Sequence, residues 1–269
     1  MRVGIVGLGL MGASFALALR DARPDVELFG SDSDPATMRR ATARHMVLAG
    51  DPREADVVVL AVPIPALPEI LGSLRGCRAV VTDMASTKAK VMGWAQAAGV
   101  DLVGGHPMCG REQSGIDAAD RYIFQGAPWV LTRDQPQVTE LVRAVGAVPV
   151  FIDAERHDRL VASVSHAAFV LSAAYVLSVA GDPDWPKMQQ IAGPGFRDLS
   201  RLAGGDPDLY AAIVSTNRKR IAEAVRAVEA SLTRLRRHLE GDDSRLLELF
   251  EEARRVRERW ALESGEVTD

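Results

Sequence analysis

Cysteine is almost missing from this chain: Cys77 and Cys109 are the only two among 269 residues. They are too few for a disulfide framework and wrongly spaced for a zinc knuckle, so a reducing, cytoplasmic setting is expected and no metal site is. A basic excess is missing too. The formal net charge of −4 gives no field for a nucleic-acid backbone, so nucleic acid is not an expected partner. The N-terminus runs from Met1-Arg2 straight into Val3-Gly4-Ile5-Val6, and the glycines that follow break any signal-peptide core. No apolar stretch is expected to approach membrane-spanning length, so no membrane partner is expected either. Histidine is sparse: only five are present, which leaves few candidates for proton transfer near neutral pH.

What remains is the balance of a globular enzyme, with 47% apolar and 25% charged residues in a chain long enough for two domains. The first part alternates short β-branched runs with helical patterns, the rhythm of a parallel sheet wrapped by helices. Strands are expected at Val3 to Val6, Val26 to Gly30, Val57 to Val62, Ala79 to Thr82, Leu102 to Gly104, Trp129 to Leu131 and Val148 to Ile152. Helices are expected at Met11 to Leu19, Ala36 to Arg44, Leu67 to Leu74, Lys88 to Ala98 and Val138 to Val145. After Ile152 the strand signals stop, and the chain reads as helix broken at Gly181-Asp182-Pro183, Gly193-Pro194-Gly195 and Gly204-Gly205-Asp206-Pro207. The reading is therefore an α/β chain: a Rossmann-type doubly wound domain over 1–153, then an all-helical substrate and dimerisation domain over 154–269. Ala162 to Val179 is nearly all apolar or small and should be buried on most faces, within its domain or against another subunit. A homodimer through the helical part follows. Ser231 to Ala261, dense in Arg and Glu with leucines at helical spacing, reads as a solvated amphipathic helix.

Gly7, Gly9 and Gly12 follow a predicted strand and open a predicted helix, the context in which this spacing signals a dinucleotide pyrophosphate site. Gly7 permits the turn, Gly9 lets the phosphates approach, and Gly12 lets helix and strand pack. Leu10 and Met11 open the helix whose free N–H groups and positive dipole end attract an anion. Val62 and Pro63, at the end of a core strand, are further cofactor candidates. Asp32 closes the second strand where an acidic residue accepts hydrogen bonds from ribose hydroxyls, which favours NAD over NADP. Asp34 is close enough to share that role, while Arg39 and Arg40 fall on the next helix and read as a solvated face.

The leading base is His106, within Gly104-Gly105-His106-Pro107-Met108-Cys109-Gly110 at a C-terminal strand edge, where open parallel sheets bind ligands. His45 and His238 read as surface residues. The segment Asp83-Met84-Ala85-Ser86-Thr87-Lys88 places a hydroxyl and an ammonium at the same sheet edge, although Ser86 or Thr87 equally suits a helix cap. The helical part adds His157-Asp158, Ser165-His166 and Phe196-Arg197-Asp198-Leu199-Ser200-Arg201. Arginines beside a Gly-Pro-Gly break suit a carboxylate, and they equally suit a surface ion-pair cluster.

In this order, from Met1 to about Asn217, these motifs resemble the prephenate and arogenate dehydrogenase family of tyrosine biosynthesis. The resemblance implies a cyclohexadienol substrate with a ring carboxylate and a 4-hydroxyl, oxidised and decarboxylated to an aromatic ring with NAD as cofactor. It implies that His106 takes the hydroxyl proton, that Ser86 orients hydroxyl and imidazole, and that Arg201, helped by Arg197, binds a substrate carboxylate. It also places His166 and Tyr210 in the substrate site. Prephenate users commonly read Ser-His-Leu-Pro-His where this chain has Ser165-His166-Ala167-Ala168-Phe169, and Tyr210 stands where some members carry tryptophan. Prephenate is favoured by its prevalence among bacterial members, with arogenate as the alternative. Two rival readings are a 3-hydroxyacid dehydrogenase-like enzyme, which leans on a helical-domain lysine, and an NAD(H)-sensing regulator without turnover.

Overall fold

The computed structural model describes residues 1–111, 113–241 and 245–264. Its N-terminal part runs β1 (Arg2–Val6), α1 (Leu10–Ala22), β2 (Glu27–Ser31), α2 (Pro35–Ala43), β3 (Leu48–Ala49), β4 (Val57–Leu60), α3 (Leu67–Ser73), β5 (Val80–Asp83), α4 (Ala89–Ala98) and β6 (Leu102–Val103). These six strands form one parallel sheet in the order β3-β2-β1-β4-β5-β6. Val57, Val58, Val59 and Leu60 are all buried, as expected of a central strand covered by helices on both faces. Strand order reverses direction between β1 and β4, which opens a crevice at their carboxyl ends where ligands of such sheets bind. The expected doubly wound α/β architecture is borne out.

At Gly104 the chain leaves this sheet and starts another. β7 (Gly105–Pro107) pairs antiparallel with β8 (Pro128–Leu131), which is joined through α5 (Pro136–Ala144) to a parallel β9 (Val148–Phe151). The sequence reading took Leu102 to Gly104 as one strand and foresaw no second sheet. The reason for the break is a close approach: a Cβ at Gly105 would lie 2.4 Å from the carbonyl oxygen of Asp83. Only glycine lets the new strand start against the end of β5. Phe15 of α1 meets Phe124 and Trp129 of β8 edge-on at 6.2 and 6.0 Å between centroids. All three rings are buried, and pairs of this kind add about 0.5–1.5 kcal/mol beyond the burial of their area.

α6 (Ala154–Val161), a π turn (Ala162–His166) and α7 (Ala167–Ala180) form one continuous rod. The apolar helix leaves Val164 and Leu177 75% and 73% exposed within the chain, so of the two expected burials the one within its own domain is incomplete. The expectation that no stretch approaches membrane-spanning length needs correction: Ala154–Ala180 spans 27 residues and holds a window of mean hydropathy 1.8, so by length and composition it is long and apolar enough to cross a membrane. Ser163, Ser165, His166 and Ser172 interrupt the apolar run without breaking the helix. After the rod the chain runs through α8 (Trp185–Ile191), α9 (Pro194–Ser200), a 3-10 turn (Arg201–Gly204), α10 (Pro207–Glu240) and α11 (Arg245–Ser264). Asn217 leaves helical geometry (φ −130°, ψ 22°) and kinks α10.

The chain divides into two compact units within α10. The first, Met1–Ile221, holds both sheets and the helices up to the kink. In the second, the end of α10 and α11 line an open groove through Leu235, Leu249, Ala253, Val256 and Trp260, with the Arg257 guanidinium 4.7 Å above the Trp260 ring. Its surface is largely exposed, as expected for the charged C-terminal stretch.

Candidate active site

The glycine turn has the geometry its spacing implies. Gly7 sits at φ +90°, and a Cβ at Gly12 would fall 1.9 Å from the Gly7 carbonyl oxygen, so the helix can start this close to the strand only with glycine at 12. Around Gly9, by contrast, nothing lies within 4 Å of the Cβ position. Gly9 precedes the first turn of α1, which has no side-chain cap, so the N–H groups near Leu10 and Met11 are not taken up by a capping side chain. That is a cradle for a dianion, and the residues fit a dinucleotide pyrophosphate.

Asp32 follows β2 and accepts hydrogen bonds from Leu8 N at 2.7 Å and Asp34 N at 2.8 Å. These fix its carboxylate beside the turn, with lone pairs left over for hydroxyl donors. Asp34 has a different task. It caps α2 by accepting from Ala36 N, Thr37 N and the Thr37 hydroxyl, and these bonds, the Thr37 hydroxyl foremost, hold its pKa below the usual carboxylate value. Arg40 pairs with Asp117 at 2.8 Å, while Arg39 is exposed. Val62 is half-buried after β4, and Pro63 begins the short turn beyond it.

The second cluster sits at the ends of β5 and β7. The Lys88 ammonium is fully buried, ion-paired with Asp83 and bonded to the Gly105 carbonyl at 2.6 Å. Asp83 also accepts from Gly105 N at 3.0 Å and Ala85 N at 2.9 Å. Lys88 is thus a strut that fastens the start of β7 to the end of β5. Burial pulls its pKa down against the pull of Asp83. The reading that offered this ammonium to the sheet edge is therefore corrected.

Capping is corrected as well. Neither Ser86 nor Thr87 caps α4; the Thr87 hydroxyl bonds Thr216 at 2.9 Å, and Ser86 is half-buried. The cap comes from Asp158 of α6, whose carboxylate accepts from Lys88 N at 2.7 Å and Ala89 N at 2.9 Å. The same carboxylate bonds His157 Nδ1 at 2.8 Å, and His157 Nε2 lies 2.9 Å from His106 Nδ1. All three side chains are buried. Burial pushes the Asp158 pKa up, but His157 and the two amides outweigh it and leave the carboxyl below its ordinary value.

This line fixes a tautomer. An ionised Asp158 only accepts, so neutral His157 donates from Nδ1 and presents a lone pair at Nε2. His106 must then donate from Nδ1, which leaves the lone pair on its own Nε2. Burial, then His157, Lys88 and His166, holds the His106 pKa well below the ordinary imidazole value. The ring is therefore an unprotonated base at neutral pH, as a proton acceptor has to be.

The remaining candidates lie in the helical part. His166, in the π turn, is buried, and burial lowers its pKa to about 4. Phe169 stacks on Tyr210 at 4.1 Å with 6° between planes, and the Tyr210 hydroxyl donates to Leu202 O at 2.8 Å. Tyr210 therefore keeps an aromatic wall and turns its hydroxyl away into the backbone. Arg197 and Arg201 are exposed on α9 and the turn after it. Ser172 pins that segment to α7 by donating to Leu199 O at 2.7 Å and accepting from Ala203 N at 2.9 Å. Cys109 is buried enough that its thiol pKa rises to about 11, in keeping with an unreactive role. Sequence reasoning gave no task to His157, Asp158 or Asn217. A usable signal was Thr216-Asn217, polar residues set on the buried face marked by Ala212, Ile213 and Ile221.

Comparison with known proteins completes the assignment. The family model described as "Prephenate dehydrogenase, nucleotide-binding domain" matches residues 15–151, and "Prephenate dehydrogenase, dimerization domain" matches residues 153–252. The chain is 31% identical to the prephenate dehydrogenase of Lactococcus lactis, over 98% of this chain and 78% of that one. Among solved structures, prephenate dehydrogenase from A. aeolicus, in complex with hydroxyphenyl propionate and NAD+, has a TM-score of 0.89 at 27% identity, covering 96% of this chain and 98% of that one. Synechocystis arogenate dehydrogenase has a TM-score of 0.84 at 29% identity, covering 97% of this chain and 100% of that one. With two family models matching residues 15–151 and 153–252 and a relative 31% identical over 98% of this chain, the chain belongs to the prephenate dehydrogenase family.

Proposed function

We propose that this chain is a prephenate dehydrogenase, catalysing NAD-dependent oxidative decarboxylation of prephenate to 4-hydroxyphenylpyruvate. The observation that carries the reading is the Asp158–His157–His106 line, which leaves a bare Nε2 on a buried, neutral histidine. Support comes from the curated relative and from the A. aeolicus complex with NAD+.

In this reading Gly7, Gly9, Leu10, Met11 and Gly12 hold the pyrophosphate, Asp32 the ribose hydroxyls, and Val62 and Pro63 flank the crevice. The bound dinucleotide supplies a hydride acceptor. His106 Nε2 accepts the proton of the 4-hydroxyl as the hydrogen on C4 departs with its electron pair, and Ser86 orients that hydroxyl. The bond to the ring carboxylate then breaks, its electrons complete the aromatic ring, and carbon dioxide leaves. Arg201, with Arg197 one helical turn before it, pairs with a carboxylate, while His166 and Tyr210 line the substrate site. Domain roles divide at residue 153, a division supported by the junction of the two family matches. We assign a homodimer through the helical part, supported by the dimerization-domain match and by the exposed Val164, Leu177, Ile191 and Leu199. A cytoplasmic enzyme is supported by two free cysteines.

Arogenate is the second reading. It is favoured by Phe169, which stacks on Tyr210 where prephenate users commonly carry a histidine, and by the likeness to the Synechocystis enzyme. The deciding experiment supplies purified protein with NAD and either prephenate or arogenate and follows NADH. Higher kcat/KM for prephenate is expected. A preference for arogenate transfers the assignment to the second reading, and NAD binding without turnover of either would refute both in favour of a sensor.

A further inference from the structure

Two helices deform at one point in the helical part. The rod α6–α7 widens into a π turn at Ala162–His166, and α10 breaks at Asn217. Asp158 O, just before the π turn, accepts from Ala162 N within the helix. Asn217 Nδ2 adds a second donor to the same carbonyl at 2.7 Å, using its remaining lone pair. Because a carbonyl only accepts, this bond orients the amide: the nitrogen faces Asp158, and Oδ1 faces away. The same nitrogen lies 3.3 Å from His166 Nδ1, so its second hydrogen points at that ring atom, which accepts.

The consequence falls on the far side of the ring. His166 Nε2 and Asn217 Oδ1 are both buried without a hydrogen-bond partner, in residues only 1% and 2% exposed. Orphaned polar atoms of this kind are rare in folded interiors and call for an occupant. They also adjoin the base, since His166 is close enough for its charge to depress the pKa of His106.

We propose that Asn217 is a positioning residue: its two amide hydrogens, directed to Asp158 O and His166 Nδ1, hold His166 as the Nε2–H tautomer, which donates a hydrogen bond to an oxygen of the substrate. Asn217 Oδ1 supplies the neighbouring acceptor. The inference rests on the dehydrogenase reading for the identity of the ligand, and on geometry alone for the tautomer. His166 is thereby a neutral donor in its resting form. It contributes a directed hydrogen bond next to His106 without a cation that would further weaken that base.

The tautomer is read without turnover, by nitrogen NMR of the full chain labelled at histidine. Wild-type His166 is expected to show a pyridine-like Nδ1 and a protonated Nε2; the opposite pattern, or a doubly protonated ring, overturns the proposal. Asn217→Asp, which replaces the donor by an acceptor, is expected to move the proton to Nδ1. Asn217→Ala is expected to raise the KM for the cyclohexadienol about tenfold or more, the loss of one directed hydrogen bond, with kcat within about twofold. A variant that folds, by circular dichroism, yet keeps the wild-type tautomer would refute the positioning role. Should a variant not fold, the wild-type spectrum still decides. If the wild type turns over neither substrate, the dehydrogenase reading fails, while the tautomer stands or falls on its own spectrum.

Discussion

Asp158→Asn tests the site where its logic is most exposed. The carboxylate accepts from Lys88 N, Ala89 N and His157 Nδ1. An amide has one oxygen, so at least one of these donors then faces an NH2 group. If the oxygen takes the Oδ2 position and keeps Ala89 N, the NH2 group takes the Oδ1 position that Lys88 N and His157 share, so His157 must accept at Nδ1 and carry its proton on Nε2. His106 then accepts at Nδ1, its proton moves to Nε2, and the lone pair meant for the substrate is gone. A change of tautomer with geometry intact lowers kcat by about 10⁴ in the best-studied Asp–His pair, and a fall of about 10³ to 10⁴ in kcat is expected here. KM should change little, because none of the three donors faces the substrate. The lost cap should also lower stability by about 1–2 kcal/mol. NADH appearance at saturating substrate measures the first effect, and urea unfolding the second. Turnover within about threefold of wild type in a folded Asp158→Asn protein would refute the relay, since a shift that small is under 1 kcal/mol of barrier.

Asp32→Ala is expected to raise the KM for NAD at least about tenfold and that for NADP far less, because the removed carboxylate favours the ribose diol and repels a phosphate; initial rates with both cofactors check it, and equal losses would move the ribose contact elsewhere. Acid should weaken the fold through its buried imidazoles. His166 has a pKa of about 4 when folded against an ordinary 6.5, so below pH 6.5 the unfolded chain binds a proton that the folded chain refuses. Stability is full above pH 6.5 and falls by about 3 kcal/mol as pH drops through 4 from this group alone, with His106 acting in the same direction. Urea unfolding at stepped pH should show a shallower loss for His166→Gln than for wild type. Parallel losses would show that His166 is not the group responsible.

The parts legible in the sequence are those written in short spacings. The turn from Gly7 to Gly12, Asp32 at the end of the second strand, and His106 after a buried strand each depend on neighbours close along the chain, so local pattern reveals them. The choice between Asp32 and Asp34 was not legible, because an N-cap and a ribose contact call for the same residue type; only the bonds from Ala36 and Thr37 assign Asp34 to the helix. The relay was hidden for a different reason. His106 and His157 are separated by 51 positions, and Asp158 caps a helix that begins 69 positions earlier. A Ser-Thr pair just before that helix made a local cap the natural expectation, and tertiary contact supplied another. The π turn and the kink at Asn217 were not legible either, because the bond that joins the two helices, from Asn217 to Asp158 O, spans 59 positions.

These non-local features answer one physical problem, that of keeping a carboxylate ionised in a buried site. An isolated buried carboxylate would take up a proton, and a protonated Asp158 would no longer be an acceptor that dictates the orientation of His157. The two amides at the start of α4 prevent this, adding hydrogen bonds and the positive end of the helix dipole where the negative charge lies. α4 in turn begins at Lys88, whose ammonium ties Asp83 to the first residue of β7. The strand bearing His106 and the helix end that stabilises the distant Asp158 carboxylate are therefore set by one residue, through its backbone N–H on one side and its side chain on the other. Movement of α4 relative to β7 would disturb both ends of the relay together, so His106 cannot lose its position while the electrostatic support of Asp158 stays in place.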